Sequence, residues 1–484
     1  MDILFVSTEL LPYVKIGGLA DVAAALPKAL RALGHKVTLV VPRFPAFEEG
    51  GLLVARRLTP LRFDYAGEPT DVTLFDGRLA SHVDVILVDA PGLYEAGSVY
   101  GDEASSPDNA KKFGILSAAA AEIARQRAAT GQPYDVVVAN DWPAAATSAH
   151  IVRLRSETPD LARTRTVFIV HNVEYQGVFP KEALPALGLP PSFFNVDQAE
   201  FYGKISLMKL GARSADAVVT VSPTYAREIV SKEGGYGLEG VFASVKERLT
   251  CILNGIDYGV WNPATDSAIA SRYDAEDLSP KARCKGALQN ELGLPIDIDV
   301  PLIANVGRMV SQKGTDLVAT LLPKILKASE AQVVICGDGD PDLVEKITAA
   351  VKKSHGRAVF VRAAAENVVH RVFSASDLVL VPSRREPCGL VQMYAQRYGA
   401  LPIVHATGGL VDTVVDCDAK LETGTGFVCG SEDELLAATE RAIAAHAHER
   451  FPQLTRRVMR LDRSWDGPAR RYEQLFKQLV TRGA

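Results

Sequence analysis

Cysteine is scarce in this 484-residue chain: six residues, at 251, 284, 336, 388, 417 and 429, all in the second half and none in C-x-x-C spacing. That distribution argues against a zinc site and against a disulfide framework, and fits a reducing compartment. Charge of one sign is also lacking. With 53 Lys+Arg against 58 Asp+Glu the formal net charge is -5, so the basic footprint of a nucleic-acid binder is missing and an anionic ligand has to be held locally. No apolar run is long enough to span a bilayer, and the N-terminus enters a strand-like run at Ile3 without a basic segment followed by an apolar one. Short-period repeats and low-complexity tracts are missing too. These absences predict a cytoplasmic protein that binds neither nucleic acid nor membrane; no feature specifies an oligomeric state.

Apolar residues make up 47% of the chain and charged residues 23%, an ordinary balance for a folded protein, and the length exceeds what one hydrophobic core sustains. The recurring unit is a short Val- and Ile-rich run, a polar turn and an amphipathic stretch, which is how a parallel α/β sheet reads. In the first half the runs are ILFVST (3–8), KVTLVV (36–41), VDVILV (83–88), DVVVA (135–139), TVFIV (166–170), AVVTV (217–221) and TCIL (250–253). The pattern pauses after NGIDYGVWNP (254–263) and restarts with PLIANV (301–306), QVVIC (332–336), AVFV (358–361), DLVLV (377–381), LPIV (401–404) and GFVC (426–429). The expectation is an α/β protein of two Rossmann-like, doubly wound domains, residues 1–258 and 259–463, followed by a helix over 464–484.

Open parallel sheets bind ligands beyond the carboxyl ends of their strands. The residues there include Glu9, Lys15 with Gly17 and Gly18, Asp141, His171, Asn254, Arg308, Lys313, Glu386 and Thr407 with Gly408. Two sheets with facing carboxyl edges would gather them in one cleft. Lys15-Ile16-Gly17-Gly18 stands between a strand and a helix, where bare amides and the helix N-terminus suit an anion; a tight turn is the plainer reading. Thr407-Gly408-Gly409 repeats the arrangement. Arg308 and Lys313 are two cations in one loop, suited to a diphosphate leaving group without a metal. Glu386 caps a helix or pairs with a neighbouring arginine, holds sugar hydroxyls while the Gly389 and Leu390 amides meet a phosphate, or does both. His171 is as readily a structural residue as a catalytic one, and Asp141 beside Trp142 suits a sugar ring. Asp297/Asp299 and Asp338/Asp340 resemble D-x-D pairs but read as solvated loops, and no His/Cys cluster supports a metal. No cofactor is called for.

Assembled in order, KIGGLADV (15–22), NDW (140–142), HNVEYQG (171–177), VSPTYAREI (221–229), LNGID (253–257), GRMVSQKG (307–314), SRREPCGL (383–390) and TGGLVDTV (407–414) resemble the bacterial glycogen and plant starch synthases, retaining GT-B glucosyltransferases. The resemblance runs from Met1 to about Ser464. It implies that Lys15, Arg308 and Lys313 contact the donor phosphates, that Gly17 and Gly18 approach the diphosphate, and that Glu386 meets the donor glucose. It also implies that His171 lies beside the reacting sugar and Asp141 near the acceptor, and that the final helix crosses back onto the first domain. ADP-glucose as donor and an α-1,4-glucan as acceptor come from the resemblance alone. The chain departs from the family pattern at Ile16, Pro143, Arg385, Val391 and Ala364, positions around donor and acceptor. A relative with another sugar nucleotide or acceptor, and a non-catalytic glucan-binding homologue, are the alternatives.

Overall fold

The computed structural model describes residues 1–95, 99–100 and 106–482. The chain divides into two compact units, Met1–Asn254 with Trp465–Ala484, and Gly255–Ser464.

The strands of the first unit are β1 (Asp2–Val6), β2 (Lys36–Pro42), β3 (Val54–Arg56), β4 (Leu61–Tyr65), β5 (Glu68–Arg78), β6 (Asp84–Asp89), β7 (Val136–Asn140), β8 (Arg165–Val170), β9 (Val178–Pro180), β10 (Glu200–Phe201), β11 (Lys204–Ser206), β12 (Ala217–Thr220) and β13 (Leu249–Cys251). The main sheet has the order β13-β12-β8-β7-β1-β2-β6-β5-β3, with β4 paired to β5; β10, β11 and β9 form a small separate sheet. From β13 to β6 every pairing is parallel, with Ile3 opposite Val37 on one side and Val136 on the other. Helices cover such strands on both faces, which is why they read as unbroken apolar runs. Every residue of β7 and of β12 is buried. β5 runs antiparallel to β6, β3 and β4. Its apolar residues alternate with polar ones, so only Val72 and Leu74 are buried, and a search for apolar runs passes over it.

The chain winds from β1 outward through β2 to β6, then returns to β7 on the other side of β1. The switch point of the sheet therefore lies between β1 and β7. The helix Gly18–Ala32 follows β1, and Gly34 beyond it takes the positive φ of 89° that reverses the chain toward β2. The last helix, Asp466–Arg482, belongs to this same unit. It buries Ala469, Tyr472 and Phe476, meets His35 through Glu473 at 3.2 Å, and sends the Arg471 guanidinium to the Cys251 carbonyl at 3.0 Å.

The second unit holds β14 (Leu302–Val306), β15 (Gln332–Gly337), β16 (Ala358–Arg362), β17 (Leu378–Val381), β18 (Leu401–His405) and β19 (Phe427–Cys429), parallel throughout in the order β16-β15-β14-β17-β18-β19. Its core packs Ile303, Val333, Ile335 and Leu378 of the sheet against Leu322 and Ile325 of the helix Thr315–Ala328. The switch point falls between β14 and β17. A second knot anchors the segment that enters the unit: the Trp261 indole is stacked on His370 and on Tyr394, with ring centroids 4.0 Å away in both cases, while His370 Nδ1 and the Tyr398 hydroxyl converge on Asp266 Oδ2 at 2.7 and 2.5 Å. Among the described residues no helix is long and apolar enough to cross a membrane.

Candidate active site

In the first unit the chemistry gathers at the switch point. The loop leaving β1 closes on itself through a two-way pairing of Leu10 with Val14. It closes a second time through Glu9, whose Oε2 accepts the Ile16 and Gly17 amides at 2.7 and 3.0 Å and whose Oε1 accepts the Tyr100 hydroxyl at 2.6 Å. Burial raises the pKa of Glu9, while Tyr100 and the two amides oppose that rise. Lys15 lies between the two closures and pairs with Asp21 at 3.2 Å. At Gly17 neither backbone nor packing calls for glycine: φ is -155° and an added Cβ would meet nothing within 4 Å. Beside it the chain leaves room for something to approach.

Across the switch point, β7 ends in Asn140 and Asp141. Asp141 has φ 66° and ψ -179°, a region almost reserved for glycine, so the surrounding structure holds a strained carboxylate in place. Its Oδ1 accepts the Trp142 amide at 2.5 Å and its Oδ2 the His171 amide at 3.1 Å. Burial outweighs those hydrogen bonds and pushes its pKa up to about 7. His171, at the end of β8, places Nε2 2.8 Å from Asn140 Oδ1, and Asn140 Nδ2 donates to Ser7 Oγ at 3.3 Å. Since Oδ1 only accepts, Nε2 carries the proton and Nδ1 is left as the acceptor. Desolvation lowers the His171 pKa to about 3, so the ring is neutral near pH 7. Gly177, with φ 59°, brings the backbone so close to Trp142 that a Cβ would stand 2.3 Å from the indole. Asn254 follows β13; it is buried, and among the described residues its Oδ1 has no partner.

In the second unit the loops after β14 and β17 bring two of the expected residues together. Lys313 Nζ donates to Glu386 Oε2 at 2.5 Å, and the Ser383 hydroxyl donates to the same oxygen at 3.0 Å. Among the described residues the Glu386 carboxylate thus pairs with Lys313, the following helix has no side-chain cap, and the Glu386 carbonyl accepts the Gly409 amide at 2.9 Å. Arg384 staples the two loops: its amide donates to the Gln312 carbonyl at 2.9 Å, and its guanidinium grips Asp316 at 2.7 Å through two nitrogens and Glu432 at 2.6 Å. Arg308 is exposed on the β14 loop. Gly389 (φ 73°) and Leu390 precede the helix Val391–Arg397, and Thr407 precedes the helix Gly408–Thr413 without capping it by its side chain. Gly409 is needed for packing, since a Cβ there would lie 2.2 Å from the Cys388 carbonyl oxygen. Ala364 sits in the turn between β16 and the helix Glu366–Ala375.

Both D-x-D pairs have ordinary tasks. Asp297 accepts the Asp299 amide at 2.9 Å, Asp338 pairs with Arg362 at 2.9 Å, and Asp340 caps the helix Pro341–Lys352. Among the described residues no group of three or more His, Cys, Asp or Glu side chains could hold a metal ion.

Comparison with known proteins follows the same division. Residues 2–244 match the model of the starch synthase catalytic domain, and residues 293–451 that of glycosyl transferases group 1. A glycogen synthase of Anaeromyxobacter sp. (strain Fw109-5) is 43% identical over 99% of this chain and 100% of its own length, and one of Thioalkalivibrio sulfidiphilus is 41% identical over the same shares. The chain belongs to the glycogen and starch synthase family. Its fold is GT-B: the catalytic domain of starch synthase IV from Arabidopsis thaliana, solved with ADP and acarbose, superposes with a TM-score of 0.91 at 30% identity over 99% of both chains. Sucrose-phosphate synthase of Thermosynechococcus elongatus, at 20% identity and TM-score 0.61 over 99% of both chains, shares the fold alone.

Within this member of the family, the roles of three residues escape sequence reading. Glu9 is visible at a strand end, but nothing local shows that it turns back on the Ile16 and Gly17 amides. Tyr100 stands in no motif. Arg384 is adjacent to Glu386 in sequence, yet its partners Asp316 and Glu432 are 68 and 48 residues away.

Proposed function

We propose that this protein is a glycogen synthase, which transfers glucose from ADP-glucose to the 4-hydroxyl at the non-reducing end of an α-1,4-glucan with retention of configuration. The observation that carries the reading is the Lys313–Glu386 pair at the switch point of the second unit, a fixed cation beside a buried carboxylate. Glu386 accepts hydroxyl hydrogen bonds from the donor glucose. Lys313, Arg308 and Lys15 stabilise the charge that develops on the diphosphate as the bond from C1 to the phosphate oxygen breaks. The Gly389 and Leu390 amides and the Thr407–Gly408 turn border the same diphosphate, and the unpaired Asn254 Oδ1 is an acceptor for a donor hydroxyl. Gly17 and Gly18 give the donor room to approach.

Asp141 and His171 serve the reacting sugars. The neutral imidazole offers Nδ1 to a hydroxyl, and Asp141 orients the acceptor. The new bond forms on the face from which the diphosphate leaves, and a leaving-phosphate oxygen takes the proton of the acceptor hydroxyl, which accounts for retention without a second carboxylate as nucleophile. Catalysis then rests on orientation and on preorganised charge. The test is nucleotide diphosphate release from ADP-glucose and UDP-glucose, with and without glycogen. Release from ADP-glucose that requires glycogen is expected; release that ignores glycogen overturns the acceptor assignment.

A further inference from the structure

We infer that Glu9 is a positioning residue, a built-in anion that occupies the amides beside Lys15, so that the lysine and not those amides is what the first unit offers to the donor diphosphate. The inference rests on the proposed role of Lys15 and adds to it the group that holds Lys15 in place. A glycine-containing loop leading into a fifteen-residue helix ordinarily receives a phosphate on its amides. Here Ile16 and Gly17 are already engaged by Glu9 Oε2 at 2.7 and 3.0 Å, and the other carboxylate oxygen is held by Tyr100 at 2.6 Å. Glu9 is only 2% exposed. A phosphate seeking the same two amides would have to evict a buried carboxylate or lie against a like charge, and either is costly.

The geometry also shows what this arrangement does. Lys15 has a fixed point on each side: Val14, paired with Leu10 by hydrogen bonds of 2.9 and 3.0 Å, and Ile16, held by Glu9. Removing Glu9 frees the second point, and Lys15 then leaves the place from which it meets the diphosphate. Its effect must pass through Lys15, so the two residues should not act independently.

The experiment is a double-mutant cycle on the full chain with Lys15→Ala, Glu9→Ala and the pair, reading KM for ADP-glucose and kcat with glycogen as acceptor. Both single variants are expected to lose at least about tenfold in kcat/KM, and the double variant to lose no more than Lys15→Ala alone. Glu9→Gln keeps one oxygen for the amides and one N–H for the Tyr100 oxygen, and should recover most of the Glu9→Ala loss. If the losses of the two single variants multiply in the double, or if Glu9→Ala turns over like wild type while Lys15→Ala does not, the inference falls and the role of Lys15 stands. If Lys15→Ala itself leaves kcat/KM unchanged, the role of Lys15 falls, and the inference with it. Should Glu9→Ala not fold, the same cycle is run with Glu9→Gln, whose smaller loss must again vanish in the Lys15→Ala background.

Discussion

Removing Lys313 should damage the enzyme in two separable ways. The ammonium lies 2.5 Å from Glu386 Oε2, and the Glu386 side chain is 9% exposed. Lys313→Ala therefore strands a buried charge that keeps its hydrogen bond from the Ser383 hydroxyl. Breaking a fully buried pair costs about 3 to 5 kcal/mol. The Lys313 side chain is 26% exposed, so water can reach the gap and the retained Ser383 hydrogen bond softens the loss. About 2 to 3 kcal/mol is expected, a drop of roughly 4 to 12 °C in Tm for a unit of this size. Arg308 is exposed, and Arg308→Ala should shift stability by no more than about 0.5 kcal/mol. Both variants should lose about 2.7 to 4 kcal/mol of transition-state stabilisation, some hundredfold or more in kcat. Adding Glu386→Gln to Lys313→Ala removes the stranded charge, so the double variant should regain melting temperature and no activity. Calorimetry and initial rates decide the matter. Lys313 and Arg308 do not have these roles if Lys313→Ala melts with wild type, if Glu386→Gln destabilises it further, or if either cation variant turns over within about threefold of wild type, a factor worth only about 0.6 kcal/mol.

Asp141 titrates near 7 in the fold against an ordinary 3.8, so between those values the folded protein holds a proton that the unfolded chain has lost. Stability should fall as pH rises from about 4 to 7, by about 4 kcal/mol in all, and Asp141→Asn should remove that slope; parallel Tm-versus-pH curves for the two proteins would contradict it. Gly17→Ala should melt like wild type yet raise KM for ADP-glucose, because a methyl there meets only open space in the chain, whereas Gly409→Ala should lose about 1 to 3 kcal/mol of stability to its clash with the Cys388 carbonyl. A Gly17→Ala enzyme with unchanged KM would mean that the donor keeps its distance. Ala364→Tyr should lower KM for ADP-glucose with little change in kcat, since base stacking is worth about 1 to 3 kcal/mol and acts equally on ground and transition states; an unchanged or higher KM would put the base elsewhere.

Much of this fold is legible in the sequence, for a physical reason. A parallel strand covered on both faces must be apolar throughout, so VVVA and VVIC announce themselves, and the residue after each strand is where an open sheet presents its chemistry. The strands β4 and β5 are hidden because strands exposed on one face alternate, and β3 and β9 to β11 because they are only two or three residues long. The site was legible as a set of residue types and illegible as a set of pairings. The sequence sets Glu386 beside arginines and gives no sign of its pairing with Lys313, which the fold brings to it because β14 and β17 are adjacent strands at the switch point. The Asp141 carboxylate was visible; the backbone strain that aims it was not, since φ at a single aspartate leaves no trace in composition or period.

The most direct measurement of the central proposal follows a maltohexaose labelled at its reducing end during incubation with ADP-glucose. The expected products are longer by whole glucose units, with one ADP released per glucose added and new linkages cleaved by an enzyme specific for α-1,4 bonds. ADP release without chain growth, or new linkages of the β configuration, would contradict it.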